Sequence, residues 1–156
     1  MNVRVVVADE RQAHFFDTPK YGAPLFLRAT LENPVAGKRD IELETDRPGR
    51  RFGGASGVRS GSGTPHHHAV DGDRSTERHE VTLFAKEIAQ KIYSDRVKRE
   101  FDRLVIIAAP RMLGLLRQEL SDPCKSVVAG EIAKDLAQHS PEAIRKVLPR
   151  EVFFQG

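Results

Sequence analysis

The chain of 156 residues has a single cysteine, Cys124, so it cannot form an intramolecular disulfide, which suits a reducing compartment. It also lacks any apolar run near the roughly 20 residues that a membrane-spanning helix needs. The opening sequence MNVRVVVADER has a strand-sized apolar run that ends in charge, unlike a signal peptide. We therefore expect a cytoplasmic protein.

Carboxylates are absent from one long stretch, from Arg47 to Val70, although the net charge of the whole chain is only +3. This stretch opens with the sequence RPGRRFGGASGVRSGSG and carries four arginines: Arg47, Arg50, Arg51 and Arg59. A segment so poor in apolar residues cannot fold alone, and we expect residues 47–75 to form a flexible, disordered loop. Arginine presents planar, bidentate donors to phosphate, so the pattern favours a nucleic-acid partner.

Hydrophobic patterning predicts five strands. Two of them read as continuous apolar runs buried on both faces, Val3 to Ala8 and Leu104 to Ala108. The other three are predicted at Gln12–Phe16, Pro24–Leu31 and Ser126–Ile132. In the third strand of the chain, alternation places Leu25, Leu27, Ala29 and Leu31 on one face.

Three helices are predicted around these strands. The longest is capped by Ser75 or Thr76 and runs to about Ser94, with an apolar face formed by Val81, Phe84, Ala85, Ile88 and Ile92. The others begin at Pro110 and at Ser140–Pro141. The order β-β-β, insertion, α-β-α-β-α predicts a five-stranded mixed α/β sheet with flanking helices, the element order of the ribonuclease-H-like fold.

One domain is expected over residues 1–150, with the flexible loop inserted at 47–75. About 120 packed residues are enough for one hydrophobic core. The last residues, EVFFQG, resemble a viral cysteine-protease cleavage sequence used in cloning, so residues 151–156 are treated as a tail that is either vector-derived or natural.

Several blocks resemble the bacterial host-attachment protein family: VRVVVADERQAHFF, DRPGRRFGG, HEVTLFAKEIAQKI, FDRLVIIAAPRMLGLLRQEL and VVAGEIAKDLAQHSPEAIRKVL. That family is similar to the central domain of archaeal and eukaryotic peptide-chain release factors, where a Gly-Gly-Gln loop positions water on the peptidyl-tRNA ester. The matching positions here are Gly53, Gly54 and Ala55. Alanine in place of glutamine argues against peptide release, whereas the flanking arginines still imply contact with RNA.

Three histidines, His66, His67 and His68, offer imidazole ligands to a metal ion, together with nearby Asp71 and Asp73. A specific metal site needs fixed geometry, and three adjacent histidines in a flexible loop do not converge on one ion. We therefore expect adventitious metal binding only, and no cofactor.

A metal-dependent nuclease or a hydrolase of tRNA esters is the enzymatic alternative. Ribonuclease-H-like nucleases hold divalent ions on clustered carboxylates, and Asp9, Glu131 and Asp135 are the acids placed near strand ends. Asp9 equally suits a turn after its strand. Glu87 on the long helix is expected to point to solvent. The sequence therefore predicts no catalytic residue, and Asp9, Glu131 and Asp135 are only weak candidates.

The favoured hypothesis is RNA binding without turnover, on tRNA or the ribosome, through Arg47, Arg50, Arg51, Gly53, Gly54 and Arg59. Arg111, Arg117 and Lys125 are secondary candidates that would widen a basic face. The other alternative is a protein-interaction module linked to attachment of the bacterium to host cells. The sequence leaves the oligomeric state open.

Overall fold

The computed structural model describes residues 1–35 and 63–154, and within the second range it describes side chains from Thr76 onward. Residues 47–62 of the predicted flexible loop, with the four arginines of the acid-free stretch, lie outside this part. Among the described residues, no helix is both long enough and apolar enough to cross a membrane.

Among the described residues, five strands form one mixed sheet, as the sequence predicts. They are β1 (Val3–Ala8), β2 (Gln12–Thr18), β3 (Phe26–Glu32), β4 (Arg103–Ala108) and β5 (Val128–Ile132). Their spatial order is β3-β2-β1-β4-β5. β2 pairs antiparallel with β1 and β3, whereas β4 pairs parallel with β1 and β5. β1, β4 and β5 therefore end together at one edge, which we call the carboxyl edge.

The central strands are buried on both faces, which explains their unbroken apolar sequences. All six residues of β1 are buried, and so are the last five of β4. Side chains alternate across a strand, so one sequence contributes to both layers of the core. Helices must then cover both faces of the sheet.

In the part of the chain that the structure describes, four helices flank the sheet: α1 (Gly63–Val97), α2 (Pro110–Glu119), α3 (Asp122–Lys125) and α4 (Pro141–Val147). α1 begins well before the predicted cap at Ser75 or Thr76. Pro65 falls in its first turn, where proline is tolerated because its missing N–H has no helical partner. Once a helix is nucleated, each added residue costs little, so α1 continues through this weakly apolar stretch.

The first core layer lies between the sheet and α1 with α2. Val81, Phe84, Ala85, Ile88 and Ile92 are all buried there, which confirms the predicted apolar face of the long helix. Glu87 is exposed on the opposite side of α1, also as predicted.

The second core layer is closed by α4 and by a 3-10 helix, Arg150–Phe153. Val152 and Phe153 are buried in it, at 3% and 6% exposure. A guanidinium nitrogen of Arg103 also donates to the carbonyl oxygen of Val152 at 2.8 Å. The packed body therefore continues beyond residue 150 and includes most of the predicted tail.

The side chains of the edge strand β3 do not all lie on the face that the sequence predicts. The β2–β3 register shifts between Phe15 and Phe16, so Ala29 and Leu31 pack on the first core layer while Leu27 lies opposite Phe16. Leu27 is 57% exposed as a result. The prediction that Leu25, Leu27, Ala29 and Leu31 share one face is therefore wrong, because a bulge breaks the alternation.

Candidate functional site

The arginine-rich segment connects β3 to α1, and the described residues show where its two ends lie. β3 ends at the carboxyl edge. Near the end of α1, Asp95 contacts Arg4 at the start of β1, so α1 runs antiparallel to β1. From Asp95 back to Val81, α1 rises about 21 Å, close to the length of β1. The part of α1 before Val81 therefore extends past the carboxyl edge, and both ends of the segment lie on that side of the sheet.

The predicted RNA-binding residues are all in this connection. Arg47, Arg50, Arg51, Gly53, Gly54 and Arg59 lie outside the described residues. His66, His67 and His68 fall within α1, in the part whose side chains are not described. The described part of the chain therefore shows the surface of the domain at which this connection begins and ends.

Carboxylates at the carboxyl edge already have partners within the body. Asp9 accepts hydrogen bonds from the backbone N–H groups of Arg11 and Gln12, both at 2.8 Å. Glu10 pairs with Arg111 at 2.8 Å. Glu131 pairs with Arg117 at 2.6 Å. These contacts satisfy Asp9, Glu10 and Glu131.

The structure does not bring the candidate catalytic acids into a metal site. Asp9 shapes the turn between β1 and β2, Glu131 on β5 holds Arg117, and Asp135 is exposed after β5. In residues 1–35 and 76–154, no group of three His, Cys, Asp or Glu side chains is arranged to hold a metal ion. The geometry gives Asp9 and Glu131 structural roles.

Two substitutions at Asp9 test its structural role in the turn between β1 and β2. Asp9→Asn keeps an acceptor oxygen for the two backbone N–H groups, so we expect it to change the free energy of unfolding by less than about 0.5 kcal/mol. Asp9→Ala removes the acceptor shared by both donors and should cost about 1–2 kcal/mol. Chemical denaturation of both variants measures the difference. Equal destabilisation by the two variants would contradict the turn role.

Two of the secondary basic candidates are neutralised by ion pairs. Arg111 and Arg117 are the partners of Glu10 and Glu131, and both side chains are more than half exposed, at 53% and 57%. Lys125 is exposed at the end of α3. The paired arginines lie on the surface of α2 and do not add net charge to a basic face.

Sequence reasoning missed a buried charge cluster at the opposite edge of the sheet. Arg4 is only 1% exposed and donates hydrogen bonds to Asp17 on β2 and, at 2.6 Å, to Asp95 on α1. Lys91 also reaches Asp95, at 3.1 Å. The Arg4 guanidinium lies over the ring of Phe101, 5.3 Å from its centroid. The one signal in the sequence is an arginine inside an otherwise apolar strand.

This cluster keeps Arg4 charged. Burial by itself lowers the pKa of Arg4, but its hydrogen bonds to Asp17 and Asp95, and the charges of both carboxylates, outweigh burial and raise the pKa above its ordinary value. A pKa raised on folding contributes stability at every pH below the ordinary value. That contribution is lost only as the pH rises through the folded-state value, in strongly alkaline solution.

Similar chains include a curated protein and a solved structure. The uncharacterized protein RP470 of Rickettsia prowazekii (strain Madrid E) is 47% identical over 49 residues, which is 31% of this chain and 33% of that protein. The crystal structure of an archaeal translation termination factor, aRF1, superposes with a TM-score of 0.49 at 10% identity. That superposition covers 96% of this chain and 36% of the factor.

A family model covers almost the whole chain. It matches residues 4–148, from Arg4 of the buried cluster to Leu148 at the end of α4, and its description is "Protein required for attachment to host cells". The match therefore includes all five strands, α1 and the arginine-rich connection. This chain belongs to the host-attachment family.

Proposed function

We propose that this protein binds RNA, without turnover, through the arginines of the connection between β3 and α1. The observation that carries the proposal is a run of 24 residues, from Arg47 to Val70, that contains four arginines and no carboxylate. The structure adds that the acids at the adjoining edge, Glu10 and Glu131, already have cationic partners. These two acids therefore do not require the arginines of the segment as partners, which supports an external polyanion in that role.

The chemistry of the segment suits a phosphate backbone. Each guanidinium offers paired N–H donors to phosphate oxygens. Gly53 and Gly54 have no side chain, so their backbone N–H groups can approach a phosphate closely. These contacts recognise charge and shape rather than base sequence, so we propose tRNA and ribosomal RNA as the partners and the cytoplasm as the location.

Binding rather than catalysis is proposed because of what the described acids do. Asp9 satisfies two backbone donors and Glu131 holds Arg117. A nuclease of the two-metal type would need such carboxylates free to converge on divalent ions. The contacts present use them to fix a turn and a helix instead.

The test is a binding titration of labelled tRNA with three proteins at moderate salt. Arg50→Ala/Arg51→Ala/Arg59→Ala should lower the affinity by roughly 10- to 100-fold, since each arginine removed takes away a phosphate contact. Lys86→Ala/Lys98→Ala/Lys146→Ala removes the same number of charges from exposed lysines of the body and is the matched control. It should bind nearly as the wild type does.

Two other outcomes would overturn the proposal. If both triple variants lose affinity equally, binding depends on total charge and not on the arginine-rich segment. If neither loses affinity, or the wild type binds neither tRNA nor ribosomes, the segment serves another partner, such as a protein involved in attachment. The same titration repeated with purified ribosomes distinguishes the two proposed RNA partners.

A further inference from the structure

We propose that Tyr21, Arg150 and Phe154 form a stacking platform for the bases of single-stranded RNA. This surface is separate from the arginine-rich segment, and the inference rests on the RNA binding proposed above. It adds a second kind of contact, because stacking recognises the planar face of a base whereas the segment recognises phosphate.

The platform is built around one guanidinium. The central carbon of Arg150 lies 5.9 Å from the ring centroid of Tyr21 and 5.3 Å from that of Phe154. Both distances fall within the range of cation–π attraction. The ring of Tyr21 also meets Phe153 edge-on, with centroids 5.8 Å apart. Because Phe153 is buried, the platform is attached to the second core layer.

Much of this aromatic surface remains open. Tyr21 is 48% exposed and Phe154 is 56% exposed, while Arg150 is also exposed. Exposed aromatic rings combined with arginine are what proteins use to stack bases of single strands. Since the guanidinium is already oriented by two rings, little side-chain freedom remains to be lost when a base stacks on it.

An open cleft adjoins the platform. Phe154 lines a cleft of about 590 Å³, together with Asp102, Arg103 and Glu151. Clefts of about 300–1,000 Å³ accommodate small organic ligands, and one nucleotide is of that size class. Because two carboxylates line the cleft and the Arg103 guanidinium already donates to the carbonyl oxygen of Val152, the cleft can take the sugar of a base stacked at Phe154 but does not suit its phosphate.

The chain offers a direct spectroscopic readout. It has no tryptophan and two tyrosines, Tyr21 and Tyr93. In a Tyr93→Phe protein, Tyr21 is the only tyrosine, and a base that stacks on it should quench its fluorescence. Titration with a short oligoadenylate should therefore give saturable quenching, whereas an abasic oligonucleotide of the same length should give none. The Tyr21→Phe variant, which retains Tyr93, measures the decrease in fluorescence that arises only from absorption of light by the RNA.

Substitutions test the platform independently of fluorescence. Tyr21→Ala and Phe154→Ala should each lower oligoadenylate affinity roughly 5- to 100-fold, the range found when an aromatic stacking partner is removed. Arg150→Lys keeps the charge but loses the plane, so it should weaken binding while leaving its salt dependence unchanged. Tyr93→Phe alone should bind as the wild type does. Thermal melting of each variant confirms that it is folded.

The possible failures are distinguishable. Absence of quenching in a protein that still binds tRNA through Arg50, Arg51 and Arg59 overturns the platform and leaves the proposed function intact. Saturable quenching with unchanged tRNA affinity in the triple arginine variant supports the platform and overturns the role of the segment. Quenching that is identical with the abasic oligonucleotide shows that phosphate, not the base, acts at this surface and overturns the platform.

Discussion

Asp95→Asn is expected to lower the free energy of unfolding by about 3–5 kcal/mol. Asp95 is 2% exposed and accepts a hydrogen bond from Arg4, which is 1% exposed. Removing one charge of a buried pair leaves the other desolvated and poorly compensated, and losses of about that size result. Asp17, which is 14% exposed, stays in place and sets the lower end of the range.

Denaturation in urea measures this effect, and Glu87→Gln is the matched control. Glu87 is an exposed acid on the same helix, so its neutralisation should change stability by less than about 0.5 kcal/mol. A cost below about 1 kcal/mol for Asp95→Asn would show that Asp17 alone compensates the charge of Arg4 and that the contact with Asp95 adds little to the stability of the fold.

The expected loss has a structural meaning. Arg4 joins the first strand, through Asp17, to the second strand and, through Asp95, to the end of α1. These contacts fix the C-terminal end of a 35-residue helix against the sheet, while the other end extends past the carboxyl edge. These contacts of Arg4 thereby fix the orientation, relative to the sheet, of α1, the helix that follows the arginine-rich segment.

Phe153→Ala is expected to cost about 3–5 kcal/mol, as large-to-small changes of buried phenylalanine do. Phe153 is 6% exposed, packs in the second core layer and supports the ring of Tyr21. The neighbouring Phe154→Ala is the natural control, because Phe154 is 56% exposed and should cost well under half as much. Thermal or urea unfolding of the two variants compares them directly.

Equal, small losses at Phe153 and Phe154 would contradict the packing of this C-terminal segment. In that case residues 150–154 would behave as a tail and the sheet face beneath them would be open. A large loss only at Phe153 would establish that the second core layer needs the 3-10 helix.

Much of the fold could be predicted because its signals are local. The apolar runs of β1 and β4 and the helical spacing from Val81 to Ile92 each specify burial within one element, and the structure confirms them. Ser140 also caps α4 as predicted, accepting a hydrogen bond from the N–H of Ala143. In such elements, periodicity alone determines which side chains face the core.

The rest depended on contacts between distant positions. Arg4 and Asp95 are 91 positions apart, so no local pattern reveals that they meet. The bulge that turns Leu27 outward arises from pairing with β2 and not from the sequence of β3. The sequence EVFFQG resembles a cloning sequence and so predicts a tail outside the packed domain, yet Val152 and Phe153 complete a core layer.

For the candidate site, the arginines could be identified from the sequence, whereas the ion pairs of the neighbouring surface could be identified only from the structure. The acid-free run was visible from composition alone. The ion pairs of Arg111 and Arg117, which remove them from a basic face, required the fold, since Glu10 and Arg111 are 101 positions apart. The cation–π contacts of Arg150 likewise join the β2–β3 turn to the chain end.

The salt dependence of tRNA binding tests the central claim most directly. Each phosphate contact contributes about 0.7 to 0.9 to the steepness with which log affinity falls against log salt, from single-stranded to duplex nucleic acid. Arg50→Ala/Arg51→Ala/Arg59→Ala should therefore reduce the slope for tRNA by about 2–3, while Lys86→Ala/Lys98→Ala/Lys146→Ala leaves it nearly unchanged. An unchanged slope in the first variant would mean that these arginines are held by the protein's own carboxylates, such as the four acids between Asp40 and Asp46, and do not contact RNA.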